Sequence, residues 1–469
     1  MTINRRNLLK SGVAATTMTA FMNNRLFAEE DAPHPKSNKF LIYIHFGSSC
    51  GAANGLLQPI KPGSWPTGFF QNGAPVQSNN PLLNTHTQAG GLVLHDYLKF
   101  LAPMANEMCL VEGTSQSLDH NVAALLQKRG AGSTSISPEW SMGVTQFMRT
   151  DKRLNPMVLT RGNKTHSVTD VTPVAANSID EFKVITSDVN TIPKDGLDPI
   201  WNTLKNRFKK PGMSSVITEA SLEANSSYQL NTLKTGLPEL SAAQADITAL
   251  RAMLAQGEIT KLIAGCADKA AIGNVANGDG GFKEKLILAG ILAKTGLANG
   301  MSIDAFGDDL HGGGADVTTA RNASAKWASI SQFWAWIKAA NLQNDVMIVV
   351  GQEFARSPYN PAVQDINIVD ASGKTVTVKS PGRDHALCMG MMFINGNVPK
   401  AGRIGFVGNN MVPQATKDAI GTIDSSGAPY TSENMVGSML MRCFDDIFPT
   451  ERMVRKHWPT FKEISPILA

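Results

Sequence analysis

The chain opens its patterned region with Phe40-Leu41-Ile42-Tyr43-Ile44-His45-Phe46, an almost wholly apolar run closed by Gly47. A run with no polar face predicts a strand buried on both sides, as in the centre of a parallel sheet. The small-residue segment Gly47 to Gly55 then lies at the C-terminal end of that strand, where open α/β sheets bind ligands. Residues 60 to 92 are rich in Pro, Gly and Asn and read as surface loop. Asp96 to Asn106 reads as a helix, Met108 to Gly113 as a second strand, and Asn121 to Lys128 as a short helix. From about 215 to 270 the pattern changes. Leu230, Leu233 and Leu237, then Ile247, Leu250 and Leu254, recur at helical spacing and predict a helical insertion. A helix over Phe282 to Thr295, a strand over Met301 to Phe306 and a helix over Ala325 to Ala340 follow, the last with Trp327, Trp334 and Trp336 as core residues. Val346 to Gly351 is the clearest central strand after the first, and Cys388 to Asn395 and Ala401 to Val407 read as late strands. Strands alternating with helices, without an internal repeat, predict an α/β fold with a mostly parallel sheet and helices on both faces.

The N-terminus has a different character. Asn4-Arg5-Arg6-Asn7-Leu8-Leu9-Lys10 is basic and carries a twin-arginine pair, followed by a weakly apolar stretch from Ser11 to about Met22 and a small residue at Ala28. The stretch is shorter than the roughly 20 residues a spanning helix needs, so residues 1 to 28 read as a twin-arginine signal peptide and 29 to 38 as a linker. The expected location is periplasmic or secreted, with the twin-arginine export machinery as a partner and no integral membrane segment after signal removal.

Removing that segment changes the charge argument. Four of the 43 basic side chains precede Glu29 and none of the 39 acidic ones does, so residues 29 to 469 carry 39 of each sign. A neutral chain gives no reason to expect a nucleic-acid partner. The five cysteines, Cys50, Cys109, Cys266, Cys388 and Cys443, form no CxxC pair or cluster, which argues against an iron–sulfur or Cys-rich zinc centre. They read mostly as small buried residues.

Polar residues gather after the expected strands: Asn54 after the first, Asp119-His120 after the second, Asp309-Leu310-His311 before three glycines, Glu353 after Val350, and Gly382-Arg383-Asp384-His385 further on. In an extended Asp-x-His segment both side chains point one way, because the strand period is two, and together a carboxylate and an imidazole suit a divalent cation such as zinc. Taken singly, each is equally a surface loop residue, a helix N-terminal charge or a hydrogen-bonded core histidine.

The order of these segments resembles a known family. Lys285 to Gly314, ending in Gly-x-Asp-x-His, Gln352-Glu353-Phe354-Ala355-Arg356-Ser357-Pro358 and Gly382-Arg383-Asp384-His385 are similar to motifs of the DUF1501 family of exported proteins, within the alkaline-phosphatase/sulfatase-like superfamily. The resemblance covers most of residues 39 to 412, loosely between 130 and 280. It implies an alkaline-phosphatase-like α/β/α sandwich, one domain over 39 to 469, with a mostly parallel central sheet and a helical insertion. It implies Asp309, His311, Glu353 and His385 as metal ligands, with Asn54, His120, Arg356 and Asp384 lining the site. The implied cofactor is a divalent metal such as zinc. The implied activity is that of an exported metal-dependent hydrolase on phosphate or sulfate esters, with a small anionic ester or an envelope component as ligand. The alternative is a non-catalytic periplasmic or cell-envelope binding or assembly protein on the same scaffold. Three departures stand out. Asn54 occupies the place of the family's Asp, Ser117-Leu118-Asp119-His120 matches its S-H-F only at His120, and no nucleophile is evident among Ser48, Ser49, Cys50, Thr114, Ser115 and Ser117.

Overall fold

In the computed structural model the described residues are 39–46, 70–71, 74–75, 86–130, 137–148, 157–159, 173–183, 240–264, 280–305, 315–356, 360–369, 375–382, 385–407, 413–418 and 422–469. Eight strands form the central sheet: β1 (Phe40–Phe46), β2 (Met108–Thr114), β3 (Met157–Leu159), β4 (Val174–Ala175), β5 (Gly300–Asp304), β6 (Val346–Gln352), β7 (Cys388–Ile394) and β8 (Arg403–Ile404). Their order is β8-β2-β7-β6-β1-β5-β3-β4. β7 runs antiparallel to both its neighbours, and every other adjacent pair is parallel. The described helices include α1 (His120–Arg129), α2 (Trp140–Met148), α3 (Gln244–Met253), α4 (Gln256–Ile263), α5 (Gly280–Thr295), α6 (Ala315–Ala339) and α7 (Ser432–Cys443). The chain is thus a mixed α/β protein with a mostly parallel central sheet.

β1 lies between β6 and β5 and is buried along its whole length, which is why its sequence is apolar at nearly every position. Alternation sends Phe40, Ile42, Ile44 and Phe46 to one face, into a cluster with Leu286 and Ile291 of α5 and Trp327, Phe333 and Trp334 of α6. It sends Leu41 and Tyr43 to the other, with Trp140 and Val144 of α2 and Met435, Met439 and Leu440 of α7. Each such side chain contributes about 1.5–3 kcal/mol when withdrawn from water. Ile247, Leu250 and Leu254, expected on one helical stripe, are buried in the first cluster, and Ile259 and Ile263 of α4 join them. Leu230, Leu233 and Leu237 lie outside the described residues.

Some expected boundaries move for local reasons. The loop expected over 60 to 92 contains, at its end, the hairpin His86–Ala89 and Leu92–His95. Its turn is Gly90-Gly91, at φ 53° and 80°, values that glycine tolerates without strain. The helix expected at 96 to 106 is a 3₁₀ helix, Asp96–Glu107, with Pro103 inside it, a residue that cannot donate an α-helical backbone bond. α6 begins ten residues before the expected Ala325, through a segment whose Asp, Thr, Asn and Ser residues are weak helix formers. The antiparallel hairpin Asn360–Val369 and Thr375–Gly382 leads into the Gly-Arg-Asp-His segment. Among the described residues no helix is long and apolar enough to cross a membrane.

Candidate functional site at the C-terminal edge of the sheet

β1, β2, β5 and β6 run in one direction, so Phe46, Thr114, Asp304 and Gln352 reach the same edge. β7 starts at that edge, with Cys388 opposite Thr114. Residues that follow one strand therefore meet residues that follow another.

The segment after β2 is a tight turn into α1. Gln116 takes φ 64°, uncommon for a residue with a side chain, and the hydroxyls around it hold the turn. The Thr114 hydroxyl donates to the Leu387 carbonyl at 3.1 Å, and the Ser115 hydroxyl donates to the Ser117 carbonyl at 2.6 Å. Ser117 Oγ accepts the Asp119 N–H at 3.1 Å. Asp119 caps α1 by accepting the Val122 N–H at 3.0 Å, and Gly130 ends the helix at φ 79°. His120 is thereby fixed as the first residue of α1.

Glu353 follows β6, and its carboxylate Oε2 meets His120 Nδ1. The two ends of this pair differ in solvent access: the His120 side chain is 43% exposed and that of Glu353 only 7%. The imidazole is also held against the Phe354 ring, 4.9 Å between centroids. Gln127, seven residues after His120 and so on the same helix face, donates Nε2–H to the Glu353 backbone carbonyl at 3.5 Å. Trp140 Nε1 in turn donates to the Gln127 carbonyl at 2.7 Å. α1 is therefore attached to Glu353 through both its side chain and its backbone. Gly351 leaves room for the Tyr43 hydroxyl: a Cβ there would lie 2.6 Å from Tyr43 Oη, and 3.4 Å from Gln127 Oε1.

Below this pair the same sheet face is polar. His45 stands in register between Gly351 of β6 and Asp304 of β5. It is 3% exposed, and among the described residues neither ring nitrogen has a hydrogen-bond partner; Gln127 Oε1 has none there either. Burial, with Lys128 adding repulsion, holds the His45 imidazole well below its ordinary pKa, so the ring is neutral. One strand further, Ser302 Oγ lies 2.9 Å from Ser141 Oγ and donates to Glu139 Oε2 at 3.4 Å. Burial pushes the Glu139 carboxyl up to about 7, against the opposing pull of Lys128, the Ser302 hydrogen bond and Arg129.

Of the residues expected at the site, Glu353 and His120 are brought into contact. Arg356 and His385 are opposite each other in a short antiparallel pair, Ala355–Arg356 with His385–Ala386, between Glu353 and the start of β7. Asn54, Asp309, His311 and Asp384 lie outside the described residues. Among the described residues no three His, Cys, Asp or Glu side chains gather closely enough to hold a metal ion. One imidazole and one carboxylate, donor types that suit such an ion, do meet at the edge, with Nδ1 and Oε2 bonded to each other. Sequence reasoning missed Gln127 and Glu139, whose positions follow from tertiary packing. His45 did carry a signal, as the one strongly polar residue inside an apolar strand. Cys109, Cys388 and Cys443 are buried and free, and burial raises each thiol pKa, leaving them unreactive.

No protein-family model matches this chain, and no curated protein matches it closely enough to count as a relative.

Proposed function

We propose that this chain is an exported, metal-dependent hydrolase-like protein of alkaline-phosphatase-like architecture, acting on phosphate or sulfate esters. The contact between His120 and Glu353, at the edge where four parallel strands end, carries the reading. Open parallel sheets bind ligands at that edge, and a carboxylate–imidazole pair that is dry at one end and open at the other suits chemistry there. The ligand set is the one the sequence resemblance implies, Asp309, His311, Glu353 and His385, with zinc as the cation. Bound there, the cation would polarise an ester oxygen and stabilise charge in the transition state.

The chain's own residues have separate tasks in this reading. α1 presents its N-terminus to the edge, which favours an anionic group. Arg356, opposite His385 in register, supplies a guanidinium whose planar fork suits a phosphate or sulfate oxygen. Thr114 and Ser115 spend their hydroxyl protons on the turn, whereas Ser117 accepts a bond and retains its proton for another partner. Among the described hydroxyls at this edge, Ser117 is thus the one best suited to meet substrate.

Zinc-loaded protein incubated with aryl phosphate and aryl sulfate esters tests the reading. Turnover that falls at least 100-fold in His120→Ala and Arg356→Ala is expected, a loss of about 2.7 kcal/mol in transition-state stabilisation. No turnover of any ester by the loaded wild-type chain would contradict it. That outcome favours the second reading, a binding or envelope-assembly protein on the same scaffold, for which Asn54 in place of a carboxylate is the motivating observation.

A further inference from the structure

We infer that the buried polar layer beneath Glu353 is an internal water site: a water molecule bridges the His45 imidazole and Gln127 Oε1, and so ties β1 to α1. The placement of the two groups is the first support. His45 and Gly351 are paired in register on adjacent parallel strands, so both face the same side of the sheet. Gly351 offers no side chain there, and α1 lies over it, with Gln127 Oε1 3.4 Å from where a Cβ would stand. Lys128, the next residue of α1, repels a proton on the His45 ring, so the imidazole too lies near this helix.

The bonding of these groups is the second support. His45 and Gln127 are both buried, and among the described residues neither His45 nitrogen nor Gln127 Oε1 has a hydrogen-bond partner. Turning the Gln127 amide over would not help. Its Nε2–H is directed at the Glu353 carbonyl at 3.5 Å, and a carbonyl oxygen only accepts. Buried polar atoms in this condition are regularly satisfied by an internal water with about two to four protein partners.

The groups also select the ligand. Gln127 Oε1 accepts, so the ligand must donate, which a simple anion cannot do. The neutral imidazole offers one N–H and one lone pair, which suits a molecule that both donates and accepts. A cation would meet the same repulsion from Lys128 that His45 does. Exposure of only 3% at His45 rules out a large molecule entering from solvent. Water meets all four conditions. Through Gln127, which holds the Glu353 carbonyl, the bridge steadies the backbone of the strand edge. The inference does not depend on the chemistry proposed for that edge.

A crystal structure of the full 469-residue chain, at a resolution that shows ordered water, is the test. A water peak is expected about 2.7–3.2 Å from both Gln127 Oε1 and one His45 ring nitrogen. In His45→Leu the peak should be lost. Urea unfolding of His45→Leu, Gln127→Leu and the double variant supplies a second reading. Each single change should lower the midpoint, and the double change should lower it by less than the sum, because either one removes the bridge. A wild-type structure in which His45 or Gln127 Oε1 bonds directly to another part of the chain, with no water between them, would overturn the inference. So would a peak at about 2.0–2.1 Å from the His45 nitrogen, which marks a metal ion, or strictly additive midpoint losses. Should the variants fail to fold, the wild-type density decides alone.

Discussion

On one face of the central sheet, Phe40, Ile42, Ile44, Met301, Ile303, Ile348 and Val350 meet helices α3 to α6 through apolar contacts. On the other, the apolar cluster around Leu41, Met347 and Val349 gives way toward the strand ends to Gly351, His45 and Ser302, and Ser302 meets Glu139, just before α2, and Ser141 of α2. The strands are the same, and only the odd or even position decides which interior a residue joins. The first face is built for cohesion. The second gives up some cohesion to place polar groups next to the edge where β1, β5 and β6 end. A buried polar group without a partner costs about 1–3 kcal/mol, so such a layer is retained at a stability cost. The difference teaches where to look for chemistry: on the face of α1, beneath the His120–Glu353 pair.

Substitutions on each face sharpen the contrast. The largest effect is expected on the apolar face, where Trp334 is fully buried and donates Nε1–H to Glu107 Oε2 at 2.8 Å. Trp334→Ala should cost about 3–5 kcal/mol in denaturant unfolding, with little change in its pH dependence. A loss below 1 kcal/mol would show that this face is not the cohesive one.

The polar face should instead respond to pH. Burial raises the Glu139 carboxyl from its ordinary 4.5 to about 7 in the fold. Between these values the unfolded chain releases a proton that the fold retains, so this residue lowers stability as the pH rises, by about 3 kcal/mol once above 7. Burial of His457, whose pKa falls from 6.5 to about 4, acts in the opposite sense, because the unfolded chain takes up the proton between those values. In Glu139→Gln the first contribution vanishes. Urea unfolding from pH 4 to 8 should therefore show the variant gaining on the wild type between pH 4.5 and 7 and holding that gain above 7. A gap independent of pH would remove Glu139 from the account.

A smaller effect is expected at Gly351, where a Cβ would press on Tyr43 Oη at 2.6 Å. Gly351→Ala should cost about 1–3 kcal/mol in denaturant unfolding, because the buried Tyr43 ring must shift to make room. The smallest belongs to the surface, away from both faces. The Arg455–Glu451 pair spans one helical turn with both side chains partly exposed, and Glu451→Gln should change stability by only about 0.3–0.5 kcal/mol.

The contrast between the faces also explains what was legible in the sequence. β1, β2, β6 and β7 were readable because their apolar runs are long relative to a strand, and α5 because its apolar content runs through more residues than a strand holds. The start of α6 was not, because its first turns carry weak helix formers and no stripe. The 3₁₀ character of 96–107 depends on Pro103 and on packing against the sheet. At the site, Glu353 and His120 were legible as polar residues following strands, but 233 positions separate them and nothing local says that they touch. Gln127 reads as an ordinary helix polar residue and Glu139, just before α2, as an ordinary charged one; only the packing of the tertiary structure puts them inside.

The central claim is that the strand edge carrying His120 and Glu353 binds a divalent cation. The most direct measurement is the metal content of the purified full-length chain by elemental mass spectrometry, beside His120→Ala, His311→Ala and His385→Ala. The account predicts at least one tightly held divalent ion per wild-type chain, lost in all three variants while their folds persist. A wild-type chain without bound metal, even after anaerobic purification and reloading, or variants that keep the full complement, would contradict it.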